Sequence, residues 1–422
     1  MAPGLNLALI TGAATPHTSA HSTDAHGVNV GGRGTGHRTG GQSLYGVAAR
    51  GPGEARDTWS VHLIIGTYTE RLPFVDGKAG GILTAGFDPA SGRFGEVRTL
   101  AAARNPSYLV VSPTGSRLYV VCESETFESQ RGGGVIAFAR DAGTGELTRL
   151  NARLIVGESP CHVALVRDGR FLVTANYGKD PGSYGEDTGS VTVCPVGTDG
   201  GLGDVAHHVV HTGSGPNAER QATSHAHMSA SDPETGHILV TDLGADTIFV
   251  YEAGPDGRLT LARELKAEPG TGPRHMAFHP DGRHLFVLNE LGGTVSVWRR
   301  GPAGFEALAS TPTVPAGADG DNLPAAIRIS PSGQHVLVSN RGHDSIAVFR
   351  FDPSVSGLRL VGVTPAEGEC PRDFILTPDG RRLIAASQDS DVLASYEFDD
   401  ATGTLRLLHS VTAMTPVCLA LV

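Results

Sequence analysis

The chain has 422 residues, with 57 Gly, 26 Pro and only 18% charged side chains, a balance that favours many short strands over long helices. Its formal net charge of −11, from 33 Lys+Arg against 44 Asp+Glu, excludes a general nucleic-acid binder with a basic surface. A small anionic ligand stays open, because a local Arg/His cluster can oppose the global sign.

Residues 1–58 are rich in Gly, Ser, Thr and His and poor in large apolar side chains. Such a stretch cannot bury enough surface to offset its ordering entropy, so it is expected to be a disordered or low-complexity leader. His17, His21, His26 and His37 are irregularly spaced within it, which favours compositional accident over metal binding. The apolar run Leu5–Ile10 is too short for a signal segment, and no stretch is long enough to span a bilayer, so no membrane partner is expected.

From Val61 the chain repeats itself. One unit runs from Gly272 to Trp298: Gly-Pro-Arg-His-Met-Ala-Phe, a His-Pro-Asp-Gly turn, His-Leu-Phe-Val-Leu-Asn-Glu, then Thr-Val-Ser-Val-Trp. Leu323–Phe349 and Cys370–Tyr396 follow the same plan, and weaker copies start near Asn105, Ser159 and Ser224. Each copy gives three strands, and a fourth follows an Asp-x-x-x-Gly-x-Leu turn, as at Asp141–Leu147 and Asp399–Leu405, and in the variant Asp352–Leu358 with Ser356 at the Gly place. Four short strands recurring every ~50 residues mark the blades of a β-propeller.

Six copies are complete and one is split. The first strands after Val61 lack the Pro-led strand that opens the other copies, and Pro416–Val422 has its pattern. The expectation is an all-β, seven-bladed β-propeller over residues 59–422, with four-stranded blades. N- and C-terminal strands would share one blade, closing the ring and leaving no open sheet edge. The loose copy between His162 and Val210 keeps a six- or eight-bladed ring as the alternative.

In a propeller the first strands line the central channel, so the residues that open them converge. Here they read Asn105-Pro106-Ser107, Ser159-Pro160-Cys161-His162, Ser224-His225-Ala226-His227, Gly272-Pro273-Arg274-His275 and Pro371-Arg372-Asp373. Second-strand ends add Glu123, Asn176, Asp242, Asn289-Glu290, Asn340-Arg341 and Gln388. Converging cations raise the affinity of a channel mouth for carboxylate or phosphate, and a nearby His or Glu supplies acid or base. The bland alternatives are that Arg274 caps a blade through main-chain carbonyls and that Glu290 is only its ion-pair partner. His225 and His227 alternate along a strand and face one side, which two zinc ligands would require, but a third ligand is missing. His279 and His284, in or beside a turn, are expected at the solvated surface.

Cys122, Cys161, Cys194, Cys370 and Cys418 form no Cys-x-x-Cys pair and are odd in number, which argues against disulfides and structural zinc and for reduced, buried residues in the cytoplasm. There is no Gly-x-Ser-x-Gly elbow and no phosphate-binding P-loop.

Gly66-Thr67-Tyr68-Thr69, Asn105-Pro106-Ser107-Tyr108-Leu109, Ala175-Asn176-Tyr177, His225-Ala226-His227, Asp242-Leu243-Gly244, Gly272-Pro273-Arg274-His275 and Asn289-Glu290-Leu291, in this order, resemble the lactonase family of seven-bladed propellers. That family holds propeller-type 6-phosphogluconolactonases and carboxymuconate-lactonizing enzymes, and the resemblance spans Val61–Val422. It implies metal- and cofactor-free hydrolysis of 6-phospho-D-glucono-1,5-lactone to 6-phosphogluconate, in the pentose phosphate pathway. By motif order it implies His227, Arg274 and Glu290 as catalytic residues, with the acid and base roles of His227 and Glu290 interchangeable. Arg341 rests on position. His162, His225, His275, Asn289, Arg341 and Arg372 are the expected substrate-binding residues. A lactonizing cycloisomerase or a lactonase for another sugar, and a non-catalytic interaction platform, are the alternatives, and the oligomeric state is expected to be a monomer or a weak homo-oligomer.

Overall fold

The computed structural model describes Trp59 and residues 61–178, 189–318 and 320–422. The expected leader, residues 1–58, lies outside the described residues, and so does the middle of the loose third copy. Among the described residues there is no helix, and none that could cross a membrane.

Among the described residues the strands form seven antiparallel sheets of four or five strands, beside two two-stranded ribbons, which settles the blade number in favour of seven. Blade 5 shows why the repeat makes a blade. Its inner strand Pro273–Phe278 pairs with His284–Asn289, which pairs with Thr294–Gly301, which pairs with Gly304–Pro312. On the second strand, Leu285 and Val287 pack into a core shared with blade 4, while Phe286 and Leu288 pack into one shared with blade 6. Both faces are covered, so this strand reads as an unbroken apolar run rather than an alternation. The outer strand is largely exposed.

The other inner strands are Leu109–Val111, Pro160–Val166, Ala226–Ser231, Leu323–Ile329 and Pro371–Leu376, in blades 2, 3, 4, 6 and 7. The seventh is Pro416–Leu421, which pairs with Val61–Thr67 through Leu63↔Leu421 and Ile65↔Leu419. Each inner strand touches the next, and Pro416–Leu421 touches both Pro371–Leu376 and Leu109–Val111, so the ring closes. His62 and Val422 exchange N–H···O bonds of 3.0 and 2.9 Å at the seam. Gly66 is required there, since a Cβ would stand 2.7 Å from the carbonyl oxygen of Pro106 on blade 2.

Two backbone irregularities recur at the head of the inner strands. The register shifts by one residue between Pro160 and His162, Ala226 and Met228, Pro273 and His275, and Pro371 and Asp373. The bulged residues are therefore Cys161, His227, Arg274 and Arg372. In five blades the residue before the leading proline has positive φ: Asn105 (40°), Ser159 (49°), Gly272 (61°), Cys370 (58°) and Thr415 (43°). A proline discourages the helical region in the residue before it, and a bulge re-aims side chains, so the two together turn each strand head toward the axis.

Candidate active site

The site is built from two stacked rings of equivalent positions. The upper ring follows the second strand of each blade. There the backbone N–H of Glu123, Tyr177, Leu243, Glu290 or Gln388 donates to the carbonyl of the residue that precedes the inner strand's first position. Tyr68 and Arg341 hold the matching places in blades 1 and 6. The lower ring consists of the bulged residues, Cys161, His227, Arg274 and Arg372, with Ser107 in the matching place of blade 2. Beneath both, Tyr108, His162 and His275 meet across the axis, with ring centroids 4.3 Å apart for Tyr108–His162, 5.9 Å for His162–His275 and 6.1 Å for Tyr108–His275.

Glu290 is the hub of one side. Its Oε2 accepts from Arg274 Nε at 2.9 Å and lies 2.7 Å from Arg341 Nη2, and its Oε1 accepts from Arg220 Nη2 at 2.8 Å. Burial pushes this carboxyl up, but Arg341, Arg274 and Arg220 together hold it well below the ordinary carboxylate range. Arg274 is 3% exposed and its guanidinium is largely spent within the protein. Besides Glu290 it bonds the main-chain oxygen of Ala325 on the next blade and His275 Nε2. Blade capping and ion pairing, separate alternatives in the sequence, are thus combined in one side chain. Burial and the nearby Arg341 bring its pKa down to about 10, so it stays charged at neutral pH.

Arg220 has no repeat signature. It sits in the connection between blades 3 and 4, where the Asn217 side chain accepts the N–H groups of Glu219 and Arg220 and Gln221 bonds the Leu243 carbonyl. It also donates to Tyr177 Oη at 3.3 Å, and its side chain keeps 34% of its surface exposed.

The opposite side carries a second carboxyl. Tyr68 Oη donates to Glu123 Oε2 at 2.8 Å, Ser107 Oγ bonds the same oxygen, and Arg372 Nη2 donates to Tyr68 Oη at 3.2 Å. Burial raises the Glu123 carboxyl above its ordinary value despite the nearby Arg372. Burial also holds three histidines neutral. His227 and His275 fall well below the usual range, with Arg274 adding to both, and His162 comes down to about 3.

Residues 62–421 match the family described as lactonase, 7-bladed β-propeller. The chain belongs to the lactonase family. A 6-phosphogluconolactonase of Bacillus subtilis is 35% identical over 313 residues, covering 74% of this chain and 83% of that protein. A 6-phosphogluconolactonase of Formosa agariphila is 32% identical over 320 residues, covering 74% and 86%. A solved periplasmic gluconolactonase of Pseudomonas aeruginosa shares 33% identity, covers 86% of this chain and 99% of its own, and superposes with a TM-score of 0.78. This lactonase is a lactone-hydrolysing enzyme of the propeller type.

The lactonase brings His227, Arg274, Glu290, Arg341, Arg372, His162 and His275 into one buried, polar cluster. His225 lies behind it, stacked on Tyr177 at 4.2 Å with Nδ1 2.8 Å from that residue's carbonyl. His227 meets the other aspect of Tyr177, at 5.8 Å. Asn289 does not join: its amide donates to Thr294 and Ser296 on the neighbouring strand, as Asn176 and Asn340 do toward Ser190 and Ser345. The alternation of a strand end explains this, since Asn289 and Glu290 are consecutive and point apart. For the same reason Tyr177, not Asn176, and Leu243, not Asp242, occupy the upper ring.

Proposed function

We propose that this lactonase hydrolyses a sugar 1,5-lactone carrying an anionic substituent, with 6-phospho-D-glucono-1,5-lactone as the leading substrate and 6-phosphogluconate as product. The observation that carries this reading is the excess of guanidinium groups over accessible carboxylate. Arg220, Arg341 and Arg372 are the outermost charged groups of the cluster, and Glu290 is already shared among three arginines. Such a mouth retains net positive charge inside an acidic protein and suits a phosphate.

His227, neutral and beside the arginines, takes the proton of the attacking water. The carbonyl oxygen becomes an oxyanion facing fixed positive charge, which lowers the barrier. The ring C–O bond then breaks, and the departing alkoxide takes a proton from the Glu123–Tyr68 pair, whose carboxyl burial raises above its ordinary value. Glu290 is a positioning residue in this scheme, because a carboxylate held by three cations is a poor base. Lactones open appreciably unaided, so modest electrostatic stabilisation suffices.

The gluconolactonase relative favours a second reading, an unphosphorylated aldonolactone in the same channel. The test is the rate of lactone opening above the spontaneous background, on substrate generated in situ, for wild type beside Arg274→Ala. Wild-type acceleration that falls well over tenfold in kcat/KM, or more than about 1.4 kcal/mol, supports the reading. No acceleration by folded protein on the phosphorylated lactone, but acceleration on gluconolactone, moves the assignment to the second reading. A muconate lactone included in the same panel checks the cycloisomerase alternative. Residence in the cytoplasm and a role in the pentose phosphate pathway belong to the proposal; five free cysteines are in keeping with a reducing compartment.

A further inference from the structure

Blade 5 carries a second cluster, on the face opposite the channel arginines. The inner strand Pro273–Phe278 runs from Arg274 down to the His279-Pro280-Asp281-Gly282 turn, a distance of about 17 Å at ~3.3 Å per residue. His279 and His284 were expected in solvent. Instead the side chain of His284 is 5% exposed and that of His279 is 10% exposed, with Asp281 between them at 27%. His279 Nδ1 lies 3.1 Å from Asp281 Oδ1, and His284 Nδ1 lies 2.7 Å from Asp281 Oδ2. Among the described residues this is the group of three whose potential ligand atoms lie within 4.8 Å of one another.

We propose that His279, Asp281 and His284 form a binding site for a divalent transition metal such as zinc, remote from the channel and structural in role. The arrangement around the histidines carries the inference. The far nitrogen of each ring is held by blade 6: His279 Nε2 is 2.9 Å from the Gly333 carbonyl and His284 Nε2 is 3.0 Å from Ser356 Oγ. A carbonyl only accepts, so His279 carries its proton on Nε2, and its Nδ1 lone pair faces the turn, where it accepts the Asp281 N–H at 3.2 Å, a bond the metal would replace. The Ser356 hydroxyl can accept as well as donate, so His284 can adopt the same tautomer. Second partners that fix the tautomer and the ring plane are the usual support of metal-bound imidazoles. A tetrahedral zinc with bonds near 2.1 Å separates its ligands by about 3.4 Å, so the 3.1 Å and 2.7 Å contacts would open by roughly 0.3 and 0.7 Å. Two imidazoles and one carboxylate leave a position for water, as the partial exposure of Asp281 allows. Both histidines are bonded to blade 6, so the ion would tie neighbouring blades together.

The test is calorimetric titration of the metal-stripped full chain with Zn2+, with Co2+ absorption reporting the ligand field. Asp281→Asn keeps an oxygen for the N–H groups of Arg283 and His284 that Oδ1 now accepts, so it preserves the turn. His284→Gln is the second variant. Wild type should bind one equivalent at least about tenfold more tightly than either variant, and its melting temperature should rise with Zn2+ more than theirs. Zinc held by the channel or leader histidines would remain in both variants. Indistinguishable isotherms for wild type and folded variants, or no Zn2+ or Co2+ binding by wild type, would overturn the proposal.

Discussion

Glu123 and Glu290 occupy the same position on blades 2 and 5, yet their surroundings drive them apart. Glu290 is held down by Arg341, Arg274 and Arg220 against the effect of burial, whereas burial dominates at Glu123. Divergent carboxyls in one cluster point to divergent roles. Glu123→Gln should therefore reduce kcat more than KM, whereas Arg220→Ala should raise KM for a phosphorylated lactone more than for an unphosphorylated one. Steady-state kinetics on the two substrates separates the effects. His227 must be neutral to accept a proton, and burial and Arg274 depress its pKa below 6.5. Activity should accordingly persist as pH falls through 6.5 and decline only further down, and a background-corrected kcat/KM profile that drops near 6.5 would remove His227 from the role of base. His227, Arg274 and Glu290 were legible because repeat position places them on the axis. Arg220 was not, because it stands in a connection with no counterpart in other blades. Asn289 was misplaced by one residue of strand alternation.

Among the elements, the heads of the inner strands concentrate both function and strain. Non-glycine residues at positive φ cost roughly 1–2 kcal/mol each, and Asn105, Ser159, Cys370 and Thr415 all bear that cost next to the cluster. Cys370→Gly should relieve it at a position where the backbone N–H to Asp344 Oδ1 is retained. Allowing for the extra freedom glycine gives the unfolded chain, the gain should be about 0.5–1 kcal/mol, read as a higher denaturant midpoint. A lower midpoint would mean that the thiol's packing outweighs the strain. The leading Pro and the residue after it were visible in the sequence at every blade except blade 4, where Ala226 replaces Pro. The bulges were not visible, because one extra residue leaves no compositional trace, and they decide which of two neighbours faces the channel.

For the whole molecule, the buried histidines make stability depend on pH. A histidine whose folded pKa lies below 6.5 takes up its proton more readily when unfolded, so its contribution is full above pH 6.5 and is lost as pH falls. His162 extends this window down to about 3, and His227 and His275 shift in the same direction. Each can remove up to about 1.4 kcal/mol per pH unit, so the melting temperature should fall steadily from pH 6.5 to 4. His162→Phe, which cannot titrate, should flatten the slope; an unchanged slope would place the acid sensitivity elsewhere. The seven-fold ring and its shared blade were legible from repeat spacing and the displaced Pro416–Val422 strand, because turn chemistry and apolar runs are local signals. The cross-blade contact of His284 with Ser356 was not, since it depends on how neighbouring hairpins pack.

The shared blade also sets the order of events during synthesis. Val61–Thr67 is made first and cannot find its inner partner until Pro416–Leu421 has been translated, more than three hundred residues later. Until then the first blade carries an open inner edge, with Val61–Thr67 paired only to Ile82–Asp88, and the ring has a gap. The ring around the lactonase site is therefore closed only when the last strand pairs with the first.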